Sequence, residues 1–384
     1  NLRLFVSQKK GVPLTHHYAG MCFLALGDID RAEKQFQKVI AITPEAGKSF
    51  VPLTVIEQIR GNYARALEGL RFARQGGEPP SLIDYLTAHI LLAKGDEAGY
   101  EEVMQGGAGL VPGLDPAGGL FIPKDESRSA FAEQRNLMAI YFFNNWHGKV
   151  TEAADHLLEQ NEKDPFAWHF KALSAMAVND HASALEAYQR LTAIRPNLVS
   201  AHMGLGRAYM KKMSYEKAVS AFKEVIEIDP ENAAGHVALA DAHVEAGNEQ
   251  KAIAAYERAR ECAPDSAPVA QKLALLLSEV PGKLDEALEV AGRAEALSPD
   301  DPLTQDVLGW VYLKRGDTDK AVEKLVSASK KLPQHPVVLY HLGMAYYKKG
   351  ELDRAKETLA RAITLSRDFR GVKEAEETLN ILGK

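Results

Sequence analysis

The stretch LGMAYYKKGELDRAKETL (Leu342–Leu359) is nearly a second copy of LGWVYLKRGDTDKAVEKL (Leu308–Leu325), which stands 34 residues upstream. Repetition at a fixed period of this length marks a solenoid or array of small units, so it decides the fold before any other motif. A proline that ends a helical stretch carries the period along the chain. Pro196, Pro230, Pro264, Pro299 and Pro333 follow one another at spacings of 34 or 35, and Pro44 and Pro165 take the same part upstream.

Aligned on these prolines, four columns agree. A Leu followed by a small residue appears at Leu205-Gly206, Leu239-Ala240, Leu308-Gly309 and Leu342-Gly343. Three residues on comes Tyr209, His243, Tyr312 or Tyr346; twelve on comes Ala218, Ala252, Ala321 or Ala355; sixteen on comes Phe222, Tyr256, Leu325 or Leu359. The small residues let two helices approach closely, and the large ones fill the space around that contact. Gly247, Gly316 and Gly350 suit the left-handed residue that closes a first helix. Asp317, one position on, is placed to cap the second. The closing proline lacks an N–H and ends that second helix. The repeated unit therefore reads as a helix-turn-helix.

This pattern resembles the tetratricopeptide repeat (TPR) family. Units 199–232, 233–266, 302–335 and 336–369 fit it nearly throughout. Units 13–46, 47–80, 134–167 and 165–198 also fit; the last two overlap by a few residues, which predicts a shortened turn. Unit 267–301 carries one extra residue, placed in EVPGK, and unit 81–105 has Tyr100 where alanine belongs. The resemblance implies an all-α fold: a right-handed α-solenoid of about ten hairpins with a C-terminal capping helix. It divides the chain into an N-terminal TPR block (1–105), a Gly/Pro-rich loop and lead-in (106–133), a second TPR block (134–370) and a cap (371–384). In the cap, Val372, Ala375, Leu379 and Leu382 share one face and Lys373, Glu374, Glu376 and Glu377 the other, as the end of a repeat array requires. The loop stretch Gly106–Ser127 reads as a connection between blocks. NLRLFVSQKKG at the start reads as the tail of an earlier helix, and the absence of an initial Met suggests a processed terminus.

Composition excludes other classes. The 384 residues carry a formal net charge of −6, against the basic patch that nucleic-acid binding needs. No run of 18 apolar residues is present, so no membrane span is expected. Two cysteines cannot build a disulfide framework and fit the cytosol and the periplasm alike.

Catalytic chemistry does not assemble from the sequence. Gly47-Lys48-Ser49 ends like a phosphate-binding loop, but Ile42 occupies the position of its leading glycine and no strand precedes it. His16 and His17 are neighbours on a helix and diverge, so they chelate poorly. His202 and His236 share one repeat column, His243 sits in the aromatic column, and Cys262 falls near a helix end, all positions that suit packing. No nucleophile, base and orienter can be grouped. The reading is a non-enzyme with no catalytic residue, metal site or cofactor.

In the TPR family, positions 2, 5, 9, 12 and 13 of each unit line the concave groove. Carried onto this chain, the resemblance assigns Met203, Arg207 and Met210 in unit 199–232. In unit 302–335 it assigns Trp310, Leu313 and Lys314, beside Leu303 and Asp306. In unit 336–369 it assigns Tyr340, Met344, Tyr347 and Lys348, beside Val337. Aromatic, Met and Arg side chains are enriched at protein interfaces. Leu308, Tyr312, Leu342 and Tyr346 already occupy the core columns, so the further groove residues Trp310, Tyr340, Met344 and Tyr347 are expected to be surplus to the core and open to a partner. That partner is a protein or peptide segment, or a second copy of the chain. The clamp that grips acidic chaperone tails needs Asn at position 9; Arg207, Asp241, Trp310 and Met344 stand there instead. The layout and the ending SRDFRGVKEAEETLNIL are similar to bacterial TPR proteins of the PEP-CTERM/exopolysaccharide-export type, which implies an envelope or periplasmic scaffold. The alternative is a regulatory or substrate-delivery subunit of an enzyme whose catalytic part lies outside this chain.

Overall fold

The structure is a computed structural model that describes residues 13–45, 47–106 and 132–383. The stretches 107–131 and Asn1–Gly11, on which the loop and the earlier-helix readings fall, lie outside the described residues. Among the described residues there are 21 α-helices and no strand. Two compact units divide the chain, residues 1–229 and 230–384.

In the first unit the helices pair consecutively. The hairpins are α1 (Pro13–Ala25) with α2 (Ile29–Ile42), α3 (Gly47–Ile59) with α4 (Tyr63–Gln75), and α5 (Pro80–Lys94) with α6 (Glu97–Gly106). They continue with α7 (Ala132–Phe143) and α8 (His147–Gln160), α9 (Pro165–Ala177) and α10 (His181–Ile194), and α11 (Val199–Lys211) and α12 (Tyr215–Ile228). The second unit holds α13 (Ala233–Glu245) with α14 (Glu249–Cys262), α15 (Ala267–Ser278) with α16 (Leu284–Leu297), and α17 (Pro302–Arg315) with α18 (Thr318–Lys331). Its last hairpin is α19 (Pro336–Lys349) with α20 (Leu352–Leu365), and α21 (Val372–Leu382) packs on it as a cap.

The small-residue columns explain the hairpins. Ala32, Ala66, Ala154, Ala184, Ala218, Ala252, Ala287, Ala321 and Ala355 are all fully buried, one in each second helix except α6, where buried Tyr100 takes the place. Across from them, a methyl group on Gly309 or Gly343 would lie 2.6 Å from Leu325 or Leu359, closer than carbon atoms tolerate. The helix–helix contact thus selects glycine at those points.

The turns follow the expected chemistry with two corrections. Gly316 and Gly350 close α17 and α19 with φ of 88° and 85°. Asp317 stands at the N-cap of α18 but makes no capping bond; its carboxylate lies 3.8 Å from Arg315 instead. The turn expected to be shortened between units 134–167 and 165–198 is of ordinary length. α8 and α9 are separated by Asn161–Asp164, four residues, as are α10 and α11. The overlap arose because α7 starts at Ala132, ahead of position 134, and Pro165 opens α9 rather than closing α8. The extra residue of unit 267–301 sits in the turn Glu279–Lys283 between α15 and α16.

Candidate functional site

The first helices of the second unit, α13, α15, α17 and α19, present one face to their successors, and α21 ends the row. Residues 31–35 apart pair along it. Lys272 donates to both carboxylate oxygens of Asp241 at 2.8 and 2.7 Å, and the Tyr256 hydroxyl donates to the same group. Trp310 Nε1 and Lys314 Nζ donate to the two oxygens of Glu279 at 2.8 and 2.9 Å. His341 Nδ1 lies 2.9 and 3.0 Å from the oxygens of buried Asp306. Tyr340 donates to Glu374 at 2.6 Å, and Thr378 reaches the Met344 sulfur at 3.7 Å.

Aromatic contacts bind the same rows together. The indole of Trp310 stacks on His341 with centroids 4.1 Å apart, and Tyr340 lies 5.5 Å from that indole and 5.6 Å from Phe369. The Lys314 ammonium sits 4.7 Å over the Trp310 ring, a cation–π contact that adds to its ion pair. Burial raises the Glu279 carboxyl, but hydrogen bonds from Lys314 and Trp310 outweigh it and hold the group below the usual carboxylate range. Burial, then the bond to Glu374, pushes the Tyr340 phenol up, so it stays neutral and can donate.

This geometry places the ten residues assigned from sequence in two groups. Met203, Arg207 and Met210 lie on α11 in the first unit, buried, exposed and half-buried in turn. The other seven lie in the second unit. Trp310, Tyr340 and Met344 are not surplus to the core: all three are buried in an apolar cluster with Leu339, Leu359, Ala362 and Ala375. The reason is the packing of each hairpin on the next: Trp310 lies against Tyr340 and His341 of α19, while Tyr340 meets Phe369 and Glu374 and Met344 meets Thr378 of α21. Leu313, Lys314 and Tyr347 remain half-buried and Lys348 is exposed. Among the described residues Tyr347 and Lys348 make no side-chain hydrogen bond or ion pair, and Ile381 of α21, one period beyond Tyr347, is 60% exposed.

Sequence reading missed Glu279, His341 and Glu374. Their signal is the spacing itself: an acid or aromatic on, or just after, one first helix with a donor or acceptor 31–35 residues later.

In the first unit, polar groups are buried without forming a reactive set. Arg135 and Asp164 pair in full burial, Asp164 also caps α9 through the Ala167 N–H at 2.9 Å, and the guanidinium lies 4.9 Å over Phe166. Burial lowers His169 to about 4 and, with Arg135 second, His89 to about 3. Among the described residues no three His, Cys, Asp or Glu side chains converge to hold a metal. No described helix is long and apolar enough to cross a membrane.

The comparisons agree with this architecture. Tetratricopeptide repeat profiles match residues 17–45, 171–233, 213–276 and 312–370. The chain is a tetratricopeptide repeat protein. In fold it is similar to a tetratricopeptide repeat protein of Parabacteroides merdae, with a TM-score of 0.54 and 13% identity over 66% of this chain and 99% of that one. It is likewise similar to a chain of the APC/C hetero-tetramer Cut9–Hcn1, at 0.53 and 13% over 98% and 90%. MamA is 24% identical over 44% of this chain and 91% of its own, with a TM-score of 0.39. No curated protein sequence matches the chain.

Proposed function

We propose that the chain is a non-catalytic scaffold that holds a protein or peptide segment on the first-helix face of its second unit. One observation carries the reading: Asp241, Glu279, Asp306 and Glu374 are paired internally, while Tyr347 and Lys348 have no side-chain hydrogen bond or ion pair among the described residues and Ile381, one period beyond Tyr347, is exposed. Half-exposed aromatic and aliphatic side chains with an adjacent free cation form a contact patch rather than a solvated surface. A segment bearing an apolar anchor and a carboxylate fits it. The setting in a bacterial envelope secretion or polysaccharide-export assembly rests on the layout of the chain and its C-terminal ending.

The test uses the full chain as bait, wild type against Tyr347→Ala/Lys348→Glu, from the native host. Both changes lie outside the buried cluster, so the melt should stay unchanged while bound partners are lost. Equal recovery of the same partners by both baits refutes this face as the binding surface.

A further inference from the structure

In the turn that leads into each hairpin from α9 onward, at least one backbone carbonyl receives a side-chain donor; the turn before α17 has a second, the Asp300 carbonyl, which accepts from Lys331 at 2.6 Å. Trp168 Nε1 donates to the Glu162 carbonyl at 2.8 Å. His202 Nε2 lies 2.7 Å from the Pro196 carbonyl and His236 Nε2 2.9 Å from that of Pro230, so both rings carry their proton on Nε2. Gln305 donates to the Pro299 carbonyl at 2.7 Å. In all four cases the donor stands six residues after the acceptor, inside the first turn of the following helix. No backbone N–H takes any of these carbonyls among the described residues.

Two hairpins lack a donor at that position, because Ala270 follows Pro264 and Leu339 follows Pro333 at the same distance. There an arginine from the second helix of the hairpin reaches back. Arg293 donates to Pro264 at 3.1 Å and Arg361 to Pro333 at 2.7 Å, from 29 and 28 residues downstream. Six successive turns are thus filled by one of two solutions.

We propose that this carbonyl is a latch point that ties each turn to the hairpin it leads into, and that the near donor and the distant arginine are interchangeable. A consequence can be read from the sequence. Arg190 and Arg258 stand 28 residues after Glu162 and Pro230, the spacing that Arg361 uses, yet those carbonyls are already taken by Trp168 and His236. Both arginines are exposed, and Arg258 pairs with Glu261 on the surface. They are spare latches. The corresponding residues after Pro196 and Pro299 are Glu224 and Ser327, which cannot substitute for an arginine.

Native-state hydrogen exchange of the full chain tests this, followed in peptides covering each turn and the first turn of the next helix. His202→Ala should speed exchange around 196–203 by roughly tenfold, as loss of a hydrogen bond to a buried donor does, and His202→Gln should restore it. His236→Ala alone should change residues 230–237 little, because Arg258 takes over, whereas His236→Ala/Arg258→Ala should show the full acceleration. Arg361→Ala, a surface change with Leu339 unable to compensate, should loosen 333–339. The proposal is overturned if His236→Ala exchanges as fast as the double variant, if His202→Gln is as fast as His202→Ala, or if Arg361→Ala leaves its turn unchanged.

Discussion

Replacing Trp310 separates two contributions that meet in one side chain. The indole is 5% exposed, so Trp310→Ala removes most of a large aromatic surface from the cluster around Tyr340 and Met344. At about 25 cal/mol per Å² and roughly 150–250 Å² for such a side chain, the loss is about 4–6 kcal/mol, and measured large-to-small changes of this kind run at about 3–5 kcal/mol. Trp310→Phe keeps the ring against His341 but removes the Nε1 donor to Glu279. A hydrogen bond to a charged group is worth about 1.5–3 kcal/mol, and Lys314 still holds the carboxylate, so the phenylalanine variant should fall near the lower figure. For a unit of this size each kcal/mol shifts Tm by about 2–4 °C. Circular dichroism melts should therefore lower the second unit's transition by roughly 3–6 °C for Phe and by at least twice that for Ala. Lowering the pH adds a signature. The folded carboxyl of Glu279 is depressed, so it stabilises at neutral pH and that contribution fades as the carboxylate protonates. In the Phe variant the acid-side loss should shrink, because one of the bonds that depresses the group is gone. A wild-type melt for Trp310→Ala, or equal shifts for Ala and Phe, would refute the assignment of this residue to the interior.

Two further outcomes follow from the first unit. His169 is fully buried with neither ring nitrogen hydrogen-bonded among the described residues, and burial holds it near 4. Its folded value lies below the unfolded one, so its stabilising effect is present above about 6.5 and is lost as pH falls toward 4; His169→Phe should flatten the urea midpoint over that range by on the order of 2–3 kcal/mol, read by the fluorescence of Trp146 and Trp168, and parallel curves would contradict it. Met213 occupies the left-handed turn position with φ of 55° and a side chain 73% exposed, where most other hairpins have Gly or Asn. Left-handed backbone costs a side chain about 1–2 kcal/mol and glycine loses about 0.5–1 kcal/mol of that advantage through chain entropy, so Met213→Gly should raise Tm by a few degrees while Met213→Ala does not.

The hairpins were legible because each depends on contacts between residues close in sequence. A column of alanines recurring near the repeat period leaves little choice but a close helix pair, and the nine that stand in second helices are fully buried. The extra residue in EVPGK was legible for the same reason. The apparent overlap near Pro165 was not, since proline opens a helix as readily as it closes one and only the backbone shows which.

The candidate site divides along the same line. Sequence alone determined the face through the chain's resemblance to the tetratricopeptide repeat family, whose groove positions fall on first-helix residues such as Trp310, Tyr340 and Tyr347. Whether that face is open or filled depends on what packs over it. Tertiary structure decided that α19 buries Trp310, that the cap and Phe369 cover Tyr340 and Met344, and that Glu279, Asp306 and Glu374 find their partners about one repeat away. A period states which side chains point the same way; only the packing of one hairpin on the next states which of them still meet solvent.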